Sequence, residues 1–403
     1  MGSVTNIFIV ALSRYQDILD DKESGGIDYD SVDASATKPT NAAIRVNDLL
    51  ETITDRYRPL SSFSQKLRFL LDIQIAIFDK FHIRLHNSLE AYLSLTSSIA
   101  RTVQGVSKED QADLQGVGGL ERLCRVYGSA EYLEGKMRDW SDDVFFLELW
   151  DELQDRARRN TSGQGLAGPM SVEDVADRTS SAVGSEEDSG ALFDETAGVY
   201  RRLRVRTEGF IQDMLIHSSR DALRSYARIN PWSSLASEPA QTTSSLALTA
   251  ELDATVQQLN EHLSFLAKVL AQAPLRRIGR QLALSMQSFF YESILMRHSF
   301  SSSGAAQFVR DVSVVWEVMD RHLGPGQAEL GMRKLRESLI LLGLESTEES
   351  KVEDGGALGL WDVEKRIFRS NESGREALEE LGLEVLNESE ARHVLERRIE
   401  LGG

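Results

Sequence analysis

The longest apolar pattern in the chain runs from residue 57 to residue 103. Large apolar side chains recur there at steps of three and four, the period of one helix face, and no proline or glycine lies between Pro59 and Gly105. These residues are Phe63, Leu67, Leu70, Ile73, Ile77, Phe81, Leu85, Leu89, Tyr92, Ile99 and Val103. A second apolar row widens the stripe in the first half of the segment. The pattern therefore predicts one long, unbroken inner helix that other helices cover on more than one side.

Helical periodicity also covers most of the remaining chain. It predicts amphipathic helices over residues 4–20, 42–54, 120–138, 192–229, 246–273, 275–298, 308–323 and 328–342, followed by three short helices in the tail. Capping boxes are expected at Ser107–Asp110, at Ser373 with Glu376, and at Asn387 with Glu390. No segment shows the period of two that is typical of a strand.

A helix junction is expected where acidic residues interrupt the apolar pattern at Asp139–Asp143. Acidic side chains favour the positive end of a helix dipole, so a new helix should begin just after them. The junction contains Trp140 and is followed by the apolar run Phe145–Leu149. Because large apolar residues at helical spacing usually belong to a core, we expect a packed junction here and no ligand pocket.

Breaks in the helical pattern divide the chain into five predicted parts. They are a short helix with a flexible loop (1–41), a first helical bundle with the long central helix (42–159), a disordered acidic insertion (160–191), a second helical bundle (192–342), and an acidic linker with short carboxy-terminal helices (343–403). The insertion is inferred from its Gly, Ser, Asp and Glu content. The fold class that follows is all-α.

Composition narrows the classes of function. The formal net charge of −18 argues against binding nucleic acid, and against binding an anionic membrane by electrostatics alone. Cys124 is the single cysteine, so a disulfide framework is impossible and a reducing, cytoplasmic location is the simplest interpretation. We expect Cys124 to be a small buried hydrophobe. No signal peptide is visible, and no segment reaches the ~18 uncharged apolar residues of a membrane span.

One helix face carries residue types that bind metals. His82 and His86 are four residues apart, and Asp79 and Glu90 lie a turn away on either side. A helical-bundle metalloenzyme using His82, His86 and Glu90 is therefore an alternative, which elemental analysis of the purified protein would test. A solvated polar face explains the same residues, and no recognisable motif supplies a further ligand. We predict no catalytic residue, no metal and no cofactor.

A row of arginines is the one candidate site for a protein partner. Arg201, Arg202, Arg204 and Arg206 follow one another on a predicted exposed helix face and would suit an acidic partner surface. An ordinary solvated helix face is the other interpretation.

Three blocks of residues resemble a known family. The first is Thr54–Tyr57 with Leu60, Lys66–Leu70 and Phe81–Leu85; the second runs from Leu123 to Leu149; the third is Glu292–Leu295 with Phe300, Gly304–Gln307 and Asp311. In order and spacing they resemble the carboxy-terminal half of the RINT/TIP family, over most of the chain from Ala42 to Leu342. Members of that family are subunits of the Dsl-type (NRZ-type) tethering complex at the endoplasmic reticulum (ER).

The resemblance implies a fold, a function and partners. The implied fold is an elongated rod of stacked antiparallel helical bundles of the CATCHR type. The implied function is that of a non-enzymatic scaffold, peripheral on the ER membrane, for SNARE binding and capture of COPI vesicles in retrograde Golgi-to-ER transport. Family members pair with sibling subunits of the complex through an amino-terminal part that is absent here. We therefore expect an independently folded chain that does not assemble with the sibling subunit but can contact ER SNARE proteins. A cytosolic regulatory adaptor, for example in checkpoint signalling, stays open as an alternative.

Overall fold

The computed structural model describes residues 2–30, 33, 35–97, 114–159, 166, 170–185, 190–235, 246–346 and 358–402, except for the side chains of residues 2–6. Within these ranges the regular structure is helical and no strand forms, which confirms the all-α prediction. The extended pairings in the same ranges are two isolated backbone bridges, Ile27 with Thr40 and Phe300 with Arg398.

The chain forms two compact units. Unit 1 contains Met1–Ile211 and Val269–Ala271, and unit 2 contains Gln212–Lys268 and Gln272–Gly403. The border of the units falls inside the helix Asp194–Ala222. The five-part division that the sequence suggests stays a prediction.

Among the described residues, unit 1 contains seven α-helices and the beginning of an eighth. They are α1 (Gly2–Asp20), α2 (Asn41–Tyr57), α3 (Phe63–Phe69), α4 (Ala76–Thr96), α5 (Val117–Ser141), α6 (Val144–Arg159), α7 (Val172–Arg178) and α8 (Asp194–Ala222). A short 3₁₀ helix, Lys22–Gly25, follows α1, and a π-helical segment, Leu70–Ile75, joins α3 to α4.

The predicted long inner helix is present from Phe63 to Thr96, but it is not a uniform α-helix. Its predicted continuation to Val103 lies outside the described residues. The π-helical segment accommodates an extra residue in one turn, so the apolar rows shift around the helix at this point. Gln74 is thereby fully buried: its Nε2 donates to Thr54 Oγ1 at 3.1 Å, and the Tyr57 hydroxyl donates to its Oε1 at 2.5 Å. The spacing of apolar residues could not predict the π-helical segment, because the residue that it buries, Gln74, is polar.

The central part of this helix is covered on more than one side, as predicted. Ile77 and Phe81 are buried, with 0% and 1% of their surface exposed. Helix α5 packs against α4 on one side. On another side the Tyr200 hydroxyl of α8 donates to the Phe78 carbonyl oxygen at 2.7 Å.

The predicted junction around Trp140 is confirmed as a packed aromatic cluster. Helix α5 ends at Ser141, and the Phe145 N–H donates to Asp143 Oδ1 at 2.8 Å at the start of α6. The Trp140 ring lies 6.0 Å from Phe146 and 5.7 Å from both Phe78 and Phe193, measured between ring centroids. The prediction is wrong for Leu147, which is 44% exposed because it points away from this cluster.

The predicted disordered insertion contains an ordered helix. Helix α7 begins with a capping box, in which Ser171 and Asp174 bond to each other's backbone N–H groups. Val175 is fully buried, and Gln154 holds the following loop through the Ala182 carbonyl and the Gly184 N–H. Disorder is thus the wrong prediction for residues 170–185, because a few well-placed residues anchor a polar segment. The helix start predicted at Ser107 lies outside the described residues.

Unit 2 contains the other helices of the described residues. They are the end of α8, α9 (Ala250–Val269), α10 (Gln272–Ser288), α11 (Ser302–Leu323), α12 (Gln327–Gly331), α13 (Arg333–Leu342), α14 (Leu360–Arg369), α15 (Asn371–Glu380) and α16 (Glu388–Leu395). A π-helical segment, Phe289–Leu295, extends α10, and short 3₁₀ helices occur at Tyr226–Arg228 and Ile399–Leu401.

Several helix boundaries in unit 2 differ from the predicted ones, most clearly at a break and at a cap. The helix expected over residues 328–342 breaks at Met332, which separates α12 from α13. In the tail, Ser370 caps α15 in place of Ser373, because its hydroxyl accepts the Ser373 N–H at 3.2 Å and the helix begins earlier. The capping box of Asn387 with Glu390 is confirmed.

Candidate interaction surfaces

The predicted metal face lies on α4 in unit 1. The rings of His82 and His86 are stacked with centroids 6.3 Å apart, and His82 also contacts the Tyr200 ring edge-on at 5.4 Å. Burial lowers the pKa of His82 below its ordinary value. The Glu90 carboxylate lies 2.6 Å from Arg206 Nη1 and therefore has a cationic partner.

This face does not have the geometry of a metal site. In the part of the chain that the structure describes, no group of three or more His, Cys, Asp or Glu side chains could hold a metal ion. The structure thus gives no support to the alternative of a metalloenzyme using His82, His86 and Glu90. Cys124, the other residue with reactive chemistry, is fully buried, and burial raises the pKa of its thiol. This confirms that it is a buried hydrophobe.

The predicted arginine row is only partly a free surface. Arg204 Nε lies 2.7 Å from Glu134 Oε2, and both side chains are largely buried. Arg201 approaches the same carboxylate at 4.0 Å. Because a buried carboxylate requires a cation, Arg204 belongs to the packing of α8 against α5 and the expectation that it is exposed is wrong.

The other members of the row remain at the surface. Arg201, Arg202 and Arg206 are exposed, although Arg206 pairs with Glu90 as described above. Their role in binding an acidic partner stays a prediction. The cationic surface is smaller than the sequence indicated, since intramolecular carboxylates neutralise part of it.

A groove of about 770 Å³ runs along α11 and α13 in unit 2, and we call it the α11/α13 groove. Its apolar lining consists of Ala306, Val309, Trp316, Leu339, Ile340 and Leu344. Its polar lining consists of Ser302, Glu329, Arg336, Glu345, Ser346 and Arg398. The lining residues of α11 recur at helical spacing, so they form one ridge along the groove.

The start of α11 is held by a close backbone contact. Ser301 caps the helix, because its hydroxyl accepts the Gly304 N–H at 3.1 Å. A Cβ atom on Gly304 would lie 1.8 Å from the carbonyl oxygen of Trp232, so only glycine fits at this position. The Ser301 N–H donates to that same carbonyl oxygen at 2.9 Å.

A buried carboxylate fixes α11 further along the helix. Asp311 is fully buried and accepts the Tyr226 hydroxyl at 2.8 Å. It also accepts the Thr249 N–H at 3.0 Å and the Thr249 hydroxyl at 2.6 Å, and Gln307 Nε2 donates to it at 3.0 Å. These bonds tie α11 to the segments before α9, so the ridge of α11 has a defined position.

The break at Met332 shapes one end of the groove. The Trp316 indole N–H donates to Met332 Sδ at 3.3 Å, which joins α11 to the α12–α13 break. Beside it, Arg336 Nε lies 3.2 Å from Glu329 Oε2 at the rim of the groove. This end is therefore charged on its outside and apolar within.

A buried arginine closes the other end of the groove. Arg398 Nη1 donates to the carbonyl oxygens of Leu342 at 2.6 Å and Leu344 at 2.9 Å, and Nη2 donates to Ser302 Oγ at 2.8 Å. Glu400 compensates its charge, with Oε2 3.0 Å from Nε. A cation at the carboxyl end of α13 also satisfies the free carbonyl groups of that helix.

The α11/α13 groove has the properties of a helix-binding surface. Half of the side chains that line it are apolar, Ile340 among them is 37% exposed, and the ion pair of Arg336 with Glu329 lies beside them. An amphipathic helix binds such a groove by laying its apolar face into it.

Sequence reasoning found the supports of this groove but not the groove itself. Phe300, Gly304, Gln307 and Asp311 belong to the third block of the family resemblance, and the structure places them where α11 is anchored. The sequence analysis placed the lining residues partly in amphipathic helices and partly in the linker and tail, and it gave none of them a role in binding. The signal was missed because the groove depends on the break at Met332 and on Arg398, a residue far along the chain.

The length and apolar character of a helix decide whether it could cross a membrane. None of the described helices combines the length and the apolar character that a membrane crossing requires.

Comparisons with known proteins give a consistent result. The family model described as "RINT-1/TIP-1 family" matches residues 9–398. The chain is similar to the protein transport protein tip20 of Schizosaccharomyces pombe, with 26% identity over 349 residues, 85% of this chain and 44% of that protein. It is also similar to the RINT1-like protein MAG2 of Arabidopsis thaliana, with 25% identity over 283 residues, 70% of this chain and 30% of that protein.

A solved structure has the same fold. It is the crystal structure of the SNARE Sec20 bound to the Dsl1 complex subunit Tip20, and the match has a TM-score of 0.63 at 18% sequence identity. The match covers 98% of this chain and 57% of the matched chain. The chain thus spans less than two thirds of the length of each of these three proteins.

Proposed function

Because the chain belongs to the RINT-1/TIP-1 family, we propose that it is a non-enzymatic helical scaffold of a vesicle-tethering complex at the endoplasmic reticulum. The family match extends over almost the whole chain, and the described residues contain no cluster suited to a catalytic metal. The fission yeast relative is named as a protein transport protein, which supports a role in traffic. The proposed pathway is retrograde transport of COPI vesicles from the Golgi, with the chain peripheral on the ER membrane.

We further propose that the scaffold binds an ER SNARE of the Sec20 class through the α11/α13 groove. The observation that carries this proposal is the apolar groove itself, open to solvent between two fixed helices and bordered by an ion pair. SNAREs and their regulatory regions are helical, and a helix is the ligand that such a groove fits. In the matched crystal structure Tip20 is bound to the SNARE Sec20, which supports a partner of this class.

Calorimetric titration of the intact chain with the cytosolic region of the cognate Sec20-like SNARE tests this proposal. Ile340→Glu places a charge on the wall of the groove at a partly exposed site, so it should preserve the fold and weaken binding by tenfold or more, on the order of 1.4 kcal/mol.

The matched control is Leu284→Glu, because Leu284 is also partly exposed but lies on α10 outside the groove lining. We expect this variant to bind like the unmodified chain. Equal affinity of Ile340→Glu and the unmodified chain would remove the groove from the proposal, and no binding to any ER SNARE would remove the partner class.

A further inference from the structure

A second groove, in unit 1, lies between the first two helices, and we call it the α1/α2 groove. Its volume is about 330 Å³. Four residues of α1 and four residues of α2 line it: Ile7, Val10, Ala11 and Arg14, and Leu49, Thr52, Ile53 and Arg56. It shares no residue with the α11/α13 groove, which lies in unit 2.

The two walls of this groove have the same spacing. On each helix the lining residues occupy positions i, i+3, i+4 and i+7, which is one ridge of an α-helix. The last position of each ridge is an arginine. Two adjacent helices that present such ridges leave a furrow between them into which the side chains of a third helix can pack.

The two arginines lie at opposite ends of the groove. Helices α1 and α2 are antiparallel, since Asp21, just after α1, forms an ion pair with Arg45 in the first turns of α2. Arg14 at the end of the α1 ridge therefore lies towards Leu49 at the start of the α2 ridge, and Arg56 lies towards Ile7. At 1.5 Å per residue, seven residues separate Arg14 from Arg56 by roughly 10 Å along the groove.

The groove exposes apolar surface and unpaired positive charge together. Val10, on the α1 wall of the groove, is 47% exposed. Arg14 and Arg56 are exposed, and neither forms an ion pair or a hydrogen bond with another described residue. This is unusual in a chain with a net charge of −18, in which an arginine such as Arg45 finds a carboxylate nearby.

We propose that the α1/α2 groove binds an amphipathic helix of a partner protein that carries acidic residues about seven positions apart. The apolar side of that helix would cover Ile7 and Val10 on the α1 wall of the groove. Its acidic residues would lie against Arg14 at one end and Arg56 at the other. The charge at both ends selects an acidic helix over a basic one, and the spacing fixes its register. The proposal depends on unit 1 alone, so it stands or falls separately from SNARE binding in unit 2.

Fluorescence anisotropy with two designed peptides tests the proposal. Each labelled peptide is an amphipathic helix of about 20 residues with leucines on one face. One peptide carries two glutamates seven positions apart that flank the leucines, and the other carries lysines at those positions. The intact chain should bind the glutamate peptide at least about tenfold more tightly than the lysine peptide. Val10→Glu should abolish binding of both peptides.

Charge reversal gives the decisive comparison. The double variant Arg14→Glu, Arg56→Glu should prefer the lysine peptide, because both ends of the groove then carry negative charge. Arg122→Glu, at another exposed arginine of unit 1, is the control and should keep the original preference. All of these sites are exposed, and circular dichroism verifies that each variant is folded.

Three results would overturn the proposal. The first is equal binding of the two peptides to the intact chain, and the second is an unchanged preference after charge reversal. The third is self-association of the chain in light scattering that Val10→Glu removes, because the occupant would then be a second copy of this chain.

Discussion

At the scale of single residues, a few buried charged groups determine where the helices lie. Glu337 is buried, and its carboxylate accepts the backbone N–H groups of Glu384, Val385 and Leu386 at 2.8–3.0 Å. Arg398 makes the opposite kind of contact, since its guanidinium group donates to the backbone carbonyl oxygens of Leu342 and Leu344. Buried charges are tolerated only when such partners are present, so these residues specify the arrangement of the segments they join.

Asp311 should be among the most sensitive of these residues. Asp311→Ala leaves the Tyr226 hydroxyl and the Thr249 N–H without their acceptor in a buried site, so the free energy of unfolding should fall by about 2–5 kcal/mol. Chemical denaturation of the intact chain measures this loss. Asp253→Ala, at an exposed carboxylate of α9, should change stability by less than about 0.5 kcal/mol. A similar small change for Asp311→Ala would show that the hydrogen bonds are not maintained in solution.

His262 should make the chain sensitive to acid. It is buried on α9, its Nδ1 has no hydrogen-bond partner among the described residues, and burial lowers its pKa to about 4. In the unfolded chain His262 binds a proton with a pKa near its ordinary value of 6.5. Between these two pKa values the unfolded state binds more protons, so the stability from neutral His262 is complete above pH 6.5 and is lost as the pH falls towards 4.

His262→Leu tests this dependence. Between pH 6.5 and pH 4.5 its free energy of unfolding should fall by about 2–3 kcal/mol less than that of the unmodified chain. His217→Leu, at an exposed histidine, should retain the full dependence. Parallel pH curves for His262→Leu and the unmodified chain would mean that His262 is accessible to protons in the folded state.

At the scale of secondary-structure elements, apolar periodicity predicted the helices well and their exact winding poorly. It predicted the long helix through Ile77 and Phe81, because a continuous apolar stripe has few alternatives. It missed the π-helical segment at Gln74 and the break at Met332, because both depend on contacts with other elements. It also missed α7, whose order comes from one capping box and from Val175.

Two isoleucines on α4 provide a matched test of this arrangement. Ile77→Ala removes a fully buried side chain and should lower the free energy of unfolding by about 2–5 kcal/mol, through lost transfer energy and the cavity that remains. Ile83→Ala, at a site that is 56% exposed on the same helix, should cost less than about 1 kcal/mol. Thermal or chemical unfolding distinguishes the two, and equal losses would mean that the buried face of α4 is assigned wrongly.

At the scale of the whole molecule, the chain is an all-helical member of the RINT-1/TIP-1 family with two compact units. Its helical class and its family were predictable, because apolar periodicity and three residue blocks survive in the sequence. The α11/α13 and α1/α2 grooves were not predictable, since each is lined by residues of separate helices whose packing cannot be derived from the apolar pattern of either helix alone. The arginine row illustrates the reverse case: it was visible in the sequence, but folding pairs Arg204 and Arg206 with carboxylates of neighbouring helices.

The most direct test of the central claim is site-specific photo-crosslinking to the cognate Sec20-like SNARE. A photo-crosslinking amino acid placed at Ile340, on the wall of the α11/α13 groove, should react with the apolar face of a helix in the SNARE cytosolic region, and mass spectrometry should locate the crosslink there. The same group placed at Leu284, outside the groove, should give no crosslink. Crosslinking from Leu284 but not from Ile340, or from neither position at saturating SNARE, would contradict the account.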